Sequence, residues 1–214
     1  MNELSSMALL IAQGIILTLE LLAGGLIIGL IIGVAFAILR HQHFAKPLIN
    51  RFISLTRGTP LILQLSFVYF ALPALLGFRA NVVVAGMLTF GLNSSAYIAE
   101  ILRSGIESIP KGQFEAAKTL QIPNFYLWKD IILPQVIKII WPALINEMIA
   151  LLKETALIST IGGMDLMRQA QSIAAEQFTY FLPLCIAGGY YYGLVLLIEY
   201  FGKKFEQEAV YASS

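Results

Sequence analysis

Two carboxylates within an apolar stretch have the clearest chemical potential in this sequence. Glu147 and Glu154 are seven residues apart, so on a helix they share one face about two turns apart, and Lys153 lies beside the second of them. Ionisable groups are expensive in a bilayer, at about +2.5 to +3.5 kcal/mol for Arg, Lys or Asp at a helix centre on insertion scales. Such groups therefore mark candidate positions on a path for a polar or charged solute.

Further polar residues interrupt two other apolar segments, and with the carboxylates they form one candidate set. The candidate pathway residues are Gln64, Asn93, Ser94, Tyr97, Glu147, Lys153 and Glu154. One interpretation is a small polar pocket that binds a solute. The other is a set of inter-helix hydrogen bonds with an internal ion pair, in which Lys153 neutralises one carboxylate. The sequence leaves both open.

The sequence contains no recognisable catalytic or metal-binding constellation. Its one cysteine, Cys185, lies in an apolar run, and its two histidines, His41 and His43, lie in a polar patch. These are too few ligands for a metal site. The G-x-x-x-x-G-K-[ST] pattern that holds nucleotide phosphates is also absent. We therefore expect no catalytic residue, no metal and no cofactor in this chain.

Composition predicts a membrane protein. Of the 214 residues 58% are apolar and only 13% are charged, against about 25% charged in a typical soluble domain. The net charge of +1 does not favour a nucleic-acid partner. A membrane-spanning helix needs about 20 apolar residues. Five segments come close to this length, at residues 11–39, 60–78, 82–102, 131–152 and 180–201.

The fold class that follows is an all-α membrane protein with about five transmembrane helices in a single domain, residues 1–214. The mixed segment 155–177 predicts a re-entrant or interfacial helix pair that is broken at Gly162-Gly163. Small residues at Gly25, Gly29 and Gly33 form a stripe at helical spacing. Such a stripe allows close helix packing, either within the chain or at a subunit interface.

The distribution of Lys and Arg predicts the orientation. Most of them lie after the first predicted span, after the third and in the tail: Arg40, Lys46, Arg51, Arg57, Arg103, Lys111, Lys118, Lys129, Lys203 and Lys204. The opposite side has only Arg79 and Arg168. Because basic loops remain in the cytoplasm, we expect the N-terminus outside and the C-terminus inside.

The longest polar stretch, residues 103–130, then lies in the cytoplasm. Between Pro110 and Pro123 it predicts about two turns of helix over residues 113–120, with Phe114, Ala117 and Leu120 on an unburied apolar face. Such a face fits a groove on a soluble partner. The alternative is a helix that lies flat on the lipid surface.

The Glu-Ala-Ala sequence at 115–117, followed by Leu120 and by Ile-Leu-Pro at 132–134, resembles the EAA loop of ABC-importer permeases. In that family the loop forms a coupling helix that docks on a cytoplasmic ATPase. The resemblance implies an ATPase-coupling role for Gly112, Gln113, Glu115, Ala116, Ala117 and Leu120. Gln121 stands where the family has a glycine, so we expect the turn that follows the helix to differ.

Other motifs extend the resemblance to the histidine, glutamine and arginine permeases. They are Arg-Gly-Thr-Pro-Leu at 57–61, Ala-Tyr-Ile-Ala-Glu-Ile-Leu-Arg at 96–103 and Leu-Lys-Glu-Thr-Ala-Leu-Ile-Ser at 152–159. The resemblance implies the type I ABC-importer permease fold, a bacterial inner-membrane location and a polar amino acid as substrate. Two carboxylates beside one path favour a cationic amino acid.

The same resemblance implies the partners. They are cytoplasmic ATPase subunits that hold ATP-Mg, a second permease subunit that is identical or related, and an extracytoplasmic amino-acid-binding protein. A stand-alone secondary transporter or channel that uses the intramembrane carboxylates is the alternative. Such proteins usually contain internal repeats, and none is evident here.

Overall fold

The computed structural model describes residues 3–211, and within this range every regular element is a helix. Four helical segments are long and apolar enough to cross a membrane, and a bent helix pair raises the number to five. The four segments are Glu3–His41, Val82–Glu107, Asn124–Ile161 and Phe181–Glu206. The all-α membrane class with about five spans is therefore confirmed. The outermost residues of the predicted domain, 1–2 and 212–214, lie outside the described residues.

The first span consists of α1 (Glu3–Ala12) and α2 (Gly14–His41), so it begins well before the predicted start at residue 11. Its glycine stripe packs within the chain. A Cβ at Gly29 would lie 2.9 Å from Cβ of Ser94, and one at Gly33 would lie 2.8 Å from Ile98. Both neighbours belong to the helix of the third predicted span. The stripe therefore lets two spans of the same chain come close together, and this decides between the two alternatives.

The second predicted span is shorter than expected and is preceded by a helix that the sequence analysis treated as a loop. Residues 61–76 form α4 (Leu61–Ser66), a π-helical segment (Phe67–Ala71) and α5 (Leu72–Leu76). Sixteen residues extend only about 24 Å, less than the roughly 30 Å hydrocarbon core. Before them α3 (Lys46–Gly58) meets this unit at an angle of 105°.

Pro60 explains the bend between α3 and α4. A proline ring disfavours the helical conformation at the residue before it, and Thr59 is extended, with φ −119° and ψ 145°. The amphipathic pattern of α3 explains why it is a helix and not a loop. Its apolar residues Ile49 and Ile53, four positions apart, are buried against the neighbouring spans.

The remaining spans follow the sequence predictions but extend beyond the predicted ends. The third is α6 (Val82–Glu107). Two short helical segments, α8 (Asn124–Tyr126) and a π-helix (Leu127–Ile132), lead into the fourth, α9 (Leu133–Glu154). The last is α11 (Phe181–Tyr211).

The mixed segment breaks at the glycine pair, as predicted. A 3-10 helix (Thr155–Ile161) ends at Gly162, whose φ is +90°, and α10 (Leu166–Gln177) follows. Asp165 is buried and caps α10 by accepting hydrogen bonds from the backbone N–H groups of Met167 and Arg168. The Tyr191 hydroxyl donates a further bond of 2.9 Å to the same carboxylate.

This segment is held against α2 by a close approach of two backbones. A Cβ at Gly14 would lie 2.4 Å from both the carbonyl carbon of Asp165 and the amide nitrogen of Leu166. Real Cβ atoms do not come so near to backbone atoms. A backbone segment, unlike a side chain, cannot relieve such a contact by changing rotamer. Glycine is therefore required at the first residue of α2.

We expect Gly14→Ala to lower the free energy of unfolding by about 1–3 kcal/mol or more, because the methyl group must displace the turn before α10. Gly188→Ala in α11 is the matched control, since nothing lies within 4 Å of its Cβ position. Thermal unfolding of the purified variants in detergent gives the melting temperature of each. Equal melting temperatures for the two variants would contradict this packing.

Candidate coupling surface and polar pathway

The predicted cytoplasmic helix is present as α7 (Lys111–Thr119). Its orientation differs in part from the expectation, because Phe114 and Ala117 do not face outward. Ala117 is only 3% exposed and lies in an apolar cluster with Ile109, Leu127 and Ile132. The outward surface instead carries the exposed coupling candidates: Gly112, Glu115, Ala116 and Leu120.

A pair of glutamines attaches α7 to the fourth span. Gln113 Nε2 donates to Gln135 Oε1 at 2.9 Å, and Gln135 Nε2 donates back to Gln113 Oε1 at 2.7 Å. Sequence reasoning selected Gln113 as a docking residue but missed Gln135. Their separation along the chain gives no local signal, because the contact depends on the turn between α7 and α9. Gln113 is thus part of the helix anchor.

The turn after α7 also corrects the sequence analysis. Gln121 adopts the left-handed conformation, with φ +53°, so it takes the geometry expected of glycine. Its N–H donates to the carbonyl of Lys118 at 3.1 Å, and the N–H of Ile122 donates to Ala117 at 3.0 Å. This is the Schellman pattern of helix ends. The hydrogen bonds and the packing of Ala117 hold a conformation that costs a residue with a Cβ about 1–2 kcal/mol.

The structure brings two of the pathway candidates into direct contact. Ser94 of α6 is buried, and its hydroxyl donates to Glu147 Oε1 of α9 at 2.7 Å. Asn93, next to it, is only 4% exposed and makes no side-chain hydrogen bond to another described residue. A carboxylate with one hydroxyl donor retains acceptor positions for a ligand.

The proposed internal ion pair is not formed. Within the described part of the chain, neither Glu147 nor Glu154 has a cation within 4 Å, and Lys153 is exposed. On a helix, adjacent residues such as Lys153 and Glu154 point about 100° apart, which accounts for the missing contact. Both carboxylates therefore remain available to a cationic group from outside the chain.

Gln64 and Tyr97 are occupied by contacts near the α3–α4 bend. Gln64 Nε2 donates to the Thr56 carbonyl at 2.7 Å and to Thr59 Oγ1 at 2.9 Å. The guanidinium of Arg57 lies 5.3 Å from the centre of the Tyr97 ring. These contacts hold Gln64 at the bend and place Tyr97 beside Arg57 at the end of α3.

An arginine cluster beside this bend escaped the sequence analysis. Glu100 of α6 accepts hydrogen bonds from Arg40 and Arg103, and Arg57 lies 3.6 Å from it. The Lys/Arg distribution placed these arginines on one side of the membrane but did not indicate that they share a carboxylate. The cluster joins the ends of α2, α3 and α6.

Comparison with known proteins agrees with this architecture. A family model described as "Binding-protein-dependent transport system inner membrane component" matches residues 25–208. The putative glutamine transport system permease protein GlnP of Rickettsia conorii is 45% identical over 202 residues, which cover 94% of this chain and 93% of the relative. The arginine transport system permease protein ArtQ of Bacillus subtilis is 44% identical over 201 residues, covering 92% and 91%.

A solved structure gives the same answer for the fold. The crystal structure of an amino acid ABC transporter with histidines contains a chain that matches with a TM-score of 0.88 and 35% identity, and the match covers 97% of this chain and 99% of that one. The expected ABC-importer permease fold is therefore confirmed.

We expect Gln121→Gly to raise the free energy of unfolding by about 0.5–1 kcal/mol. Glycine removes the cost of the left-handed conformation but adds chain entropy to the unfolded state. Gln121→Ala keeps a Cβ and serves as the control, with no gain expected. Chemical or thermal unfolding in detergent distinguishes them, and a glycine variant no more stable than the alanine variant would contradict the assigned conformation.

Proposed function

The chain belongs to the family of binding-protein-dependent transport system inner membrane components, and we propose that it forms the transmembrane path of an ATP-driven importer for polar amino acids. The observation that carries this proposal is the geometry of α7. One side of this helix packs against the rest of the chain, and the other side leaves Glu115, Ala116 and Leu120 exposed.

The bare surface of α7 fits a groove on a soluble ATPase. Leu120 is 72% exposed although it lies at the end of a cytoplasmic helix, where water makes exposed apolar surface unfavourable. Phe125 and Tyr126 extend the exposed apolar surface beyond the turn. An amphipathic helix that lies in a groove buries such residues. The partner would hold ATP-Mg, which supplies the free energy of hydrolysis.

The anchored side of α7 supports a mechanical role. Ala117 packs against Ile132 and Val136 at the start of the fourth span, and Gln113 pairs with Gln135 in the same region. A displacement of α7 by the ATPase would therefore be transmitted to α9, because close-packed interiors do not absorb such movements. The same helix carries Glu147 and Glu154, so movement at the ATPase would reach the proposed pathway.

The proposed substrate site lies between α6 and α9. Among the described residues, Glu147 and Glu154 have no cation partner and the amide of Asn93 has no hydrogen-bond partner. Carboxylates attract an ammonium or guanidinium group, and charge-assisted hydrogen bonds are stronger than neutral ones. We infer from these carboxylates that the pathway favours a cationic amino acid; of the two relatives above, one is named for arginine and the other for glutamine.

The proposed assembly places α7 in the cytoplasm, with the N-terminus outside and the C-terminus inside. The convergence of Arg40, Arg57 and Arg103 on Glu100 supports this orientation, because it places the basic loops on one side. A second permease subunit would complete the wall of the path. An amino-acid-binding protein would deliver the substrate on the outer side.

We expect Glu115→Lys to lower ATP-dependent uptake at least about tenfold, because reversing a charge at an interface is strongly unfavourable. Asp130→Lys makes the same charge change at an exposed position of the same loop but outside α7. Uptake by vesicles and co-purification of the ATPase measure the effect. If both variants retain the ATPase equally well, the docking role of α7 is wrong.

We expect Glu154→Gln to raise the KM for arginine about tenfold, because the amide keeps the size of the carboxylate but not its charge. The KM for glutamine should change much less. Glu20→Gln is the control, since Glu20 is an exposed carboxylate in the first span. Uptake of labelled arginine and labelled glutamine gives the ratio of the two KM values for each variant. Equal effects on both amino acids would contradict recognition of a cationic group.

A further inference from the structure

A basic cleft lies where the ends of α2 and α6 meet the start of α3, away from the proposed substrate residues. Its volume is about 410 Å³. The cationic and imidazole side chains that line it are Arg40, His41, His43, Lys46 and Arg103. The carboxylates of Glu100 and Glu107 are also in its wall.

The charges of this cleft do not balance. Arg40 and Arg103 in its wall are balanced by the carboxylates Glu100 and Glu107, and Arg57, which lies 3.6 Å from Glu100, is outside the lining. Lys46 adds a further positive charge, and among the described side chains it has no carboxylate within 4 Å. The cleft is therefore positive even while its two histidines are neutral.

The N-terminus of α3 adds to the positive potential of the cleft. Lys46 is the first residue of α3, a helix of 13 residues, and the N-cap residue Ala45 provides no side-chain acceptor. The first N–H groups of a helix carry a partial positive charge. Pro47 has no N–H, and the N–H groups of Leu48 and Ile49 donate to the Ala45 carbonyl, so the helix contributes mainly through its dipole. The lysine, the two histidines and this dipole suit an anion such as a phosphate.

Exposed apolar residues next to Lys46 in the sequence indicate the source of that phosphate. Phe44 is 66% exposed and Leu48 is 71% exposed, and they flank Lys46 in the sequence. The 105° bend after α3 turns this helix away from the direction of the next span, as expected for an amphipathic helix at the membrane surface. A soluble phosphate would leave both apolar side chains bare, whereas a phospholipid offers its acyl region to them.

We propose that this cleft binds the phosphate group of an anionic phospholipid from the inner leaflet, with Lys46 and His43 at the headgroup and Phe44 and Leu48 against the acyl region. Basic pockets between helices on the cytoplasmic side are suited to anionic headgroups. The choice of leaflet rests on the orientation in the proposed function. The binding itself requires neither the ATPase nor an amino acid.

Native mass spectrometry of the full chain in detergent tests the proposal with phosphatidylglycerol and phosphatidylcholine as probes. We expect phosphatidylglycerol to bind more tightly, and the double variant His43→Ala, Lys46→Glu to weaken it about tenfold or more. Lys204→Glu makes the same charge change as Lys46→Glu at an exposed position in α11 and should bind within about twofold of wild type. Equal binding by the double variant and wild type would overturn the site, as would equal binding of the two lipids.

A competition experiment identifies the source of the phosphate. Millimolar inorganic phosphate should leave the bound phosphatidylglycerol in place, and displacement would mean that the cleft binds a soluble anion. Glu115→Lys distinguishes this inference from the proposed function. That variant should lose the ATPase and keep the lipid, so a failure of either role leaves the other measurable.

Discussion

The structure depends on one constraint above all: the short helix α7 is attached to the fourth span on one side while its outer surface stays exposed. Ala117 in the apolar cluster and the Gln113–Gln135 pair provide the attachment. Without this attachment, a force applied to α7 would only bend the loop that contains it and would not be transmitted to α9. With it, the proposed displacement of α7 would carry α9 and its carboxylates along.

The membrane part of the chain supports this unit by two kinds of close contact. The glycine stripe of α2 lies directly on α6, where Ser94 is in contact with both Gly29 and Glu147. At the opposite end of α2, Gly14 lies against the backbone near Asp165. The first span is thus packed against both the mixed segment and the third span, so the proposed movement of α9 would take place against a close-packed neighbour.

Much of this arrangement was accessible from sequence, and the exceptions have physical reasons. Long apolar runs predicted the spans, and Gly162-Gly163 marked the break in the mixed segment. Which side of α7 is buried could not be predicted, because Ala117 meets Ile132 only after the intervening turn has formed. Gln121 was misjudged because tertiary packing overrode its backbone preference. The helix α3 was missed because its Lys and Arg residues were interpreted only as an orientation signal.

The coupling of α7 to α9 is best tested by the number of amino acids taken up per ATP hydrolysed in proteoliposomes with the partner ATPase. Gln135→Ala removes the glutamine pair but leaves Glu115 and Leu120 unchanged on the outer surface. We expect that the ATPase still binds and hydrolyses ATP, while uptake per ATP falls severalfold. An unchanged ratio would contradict the claim that this attachment transmits movement to the pathway.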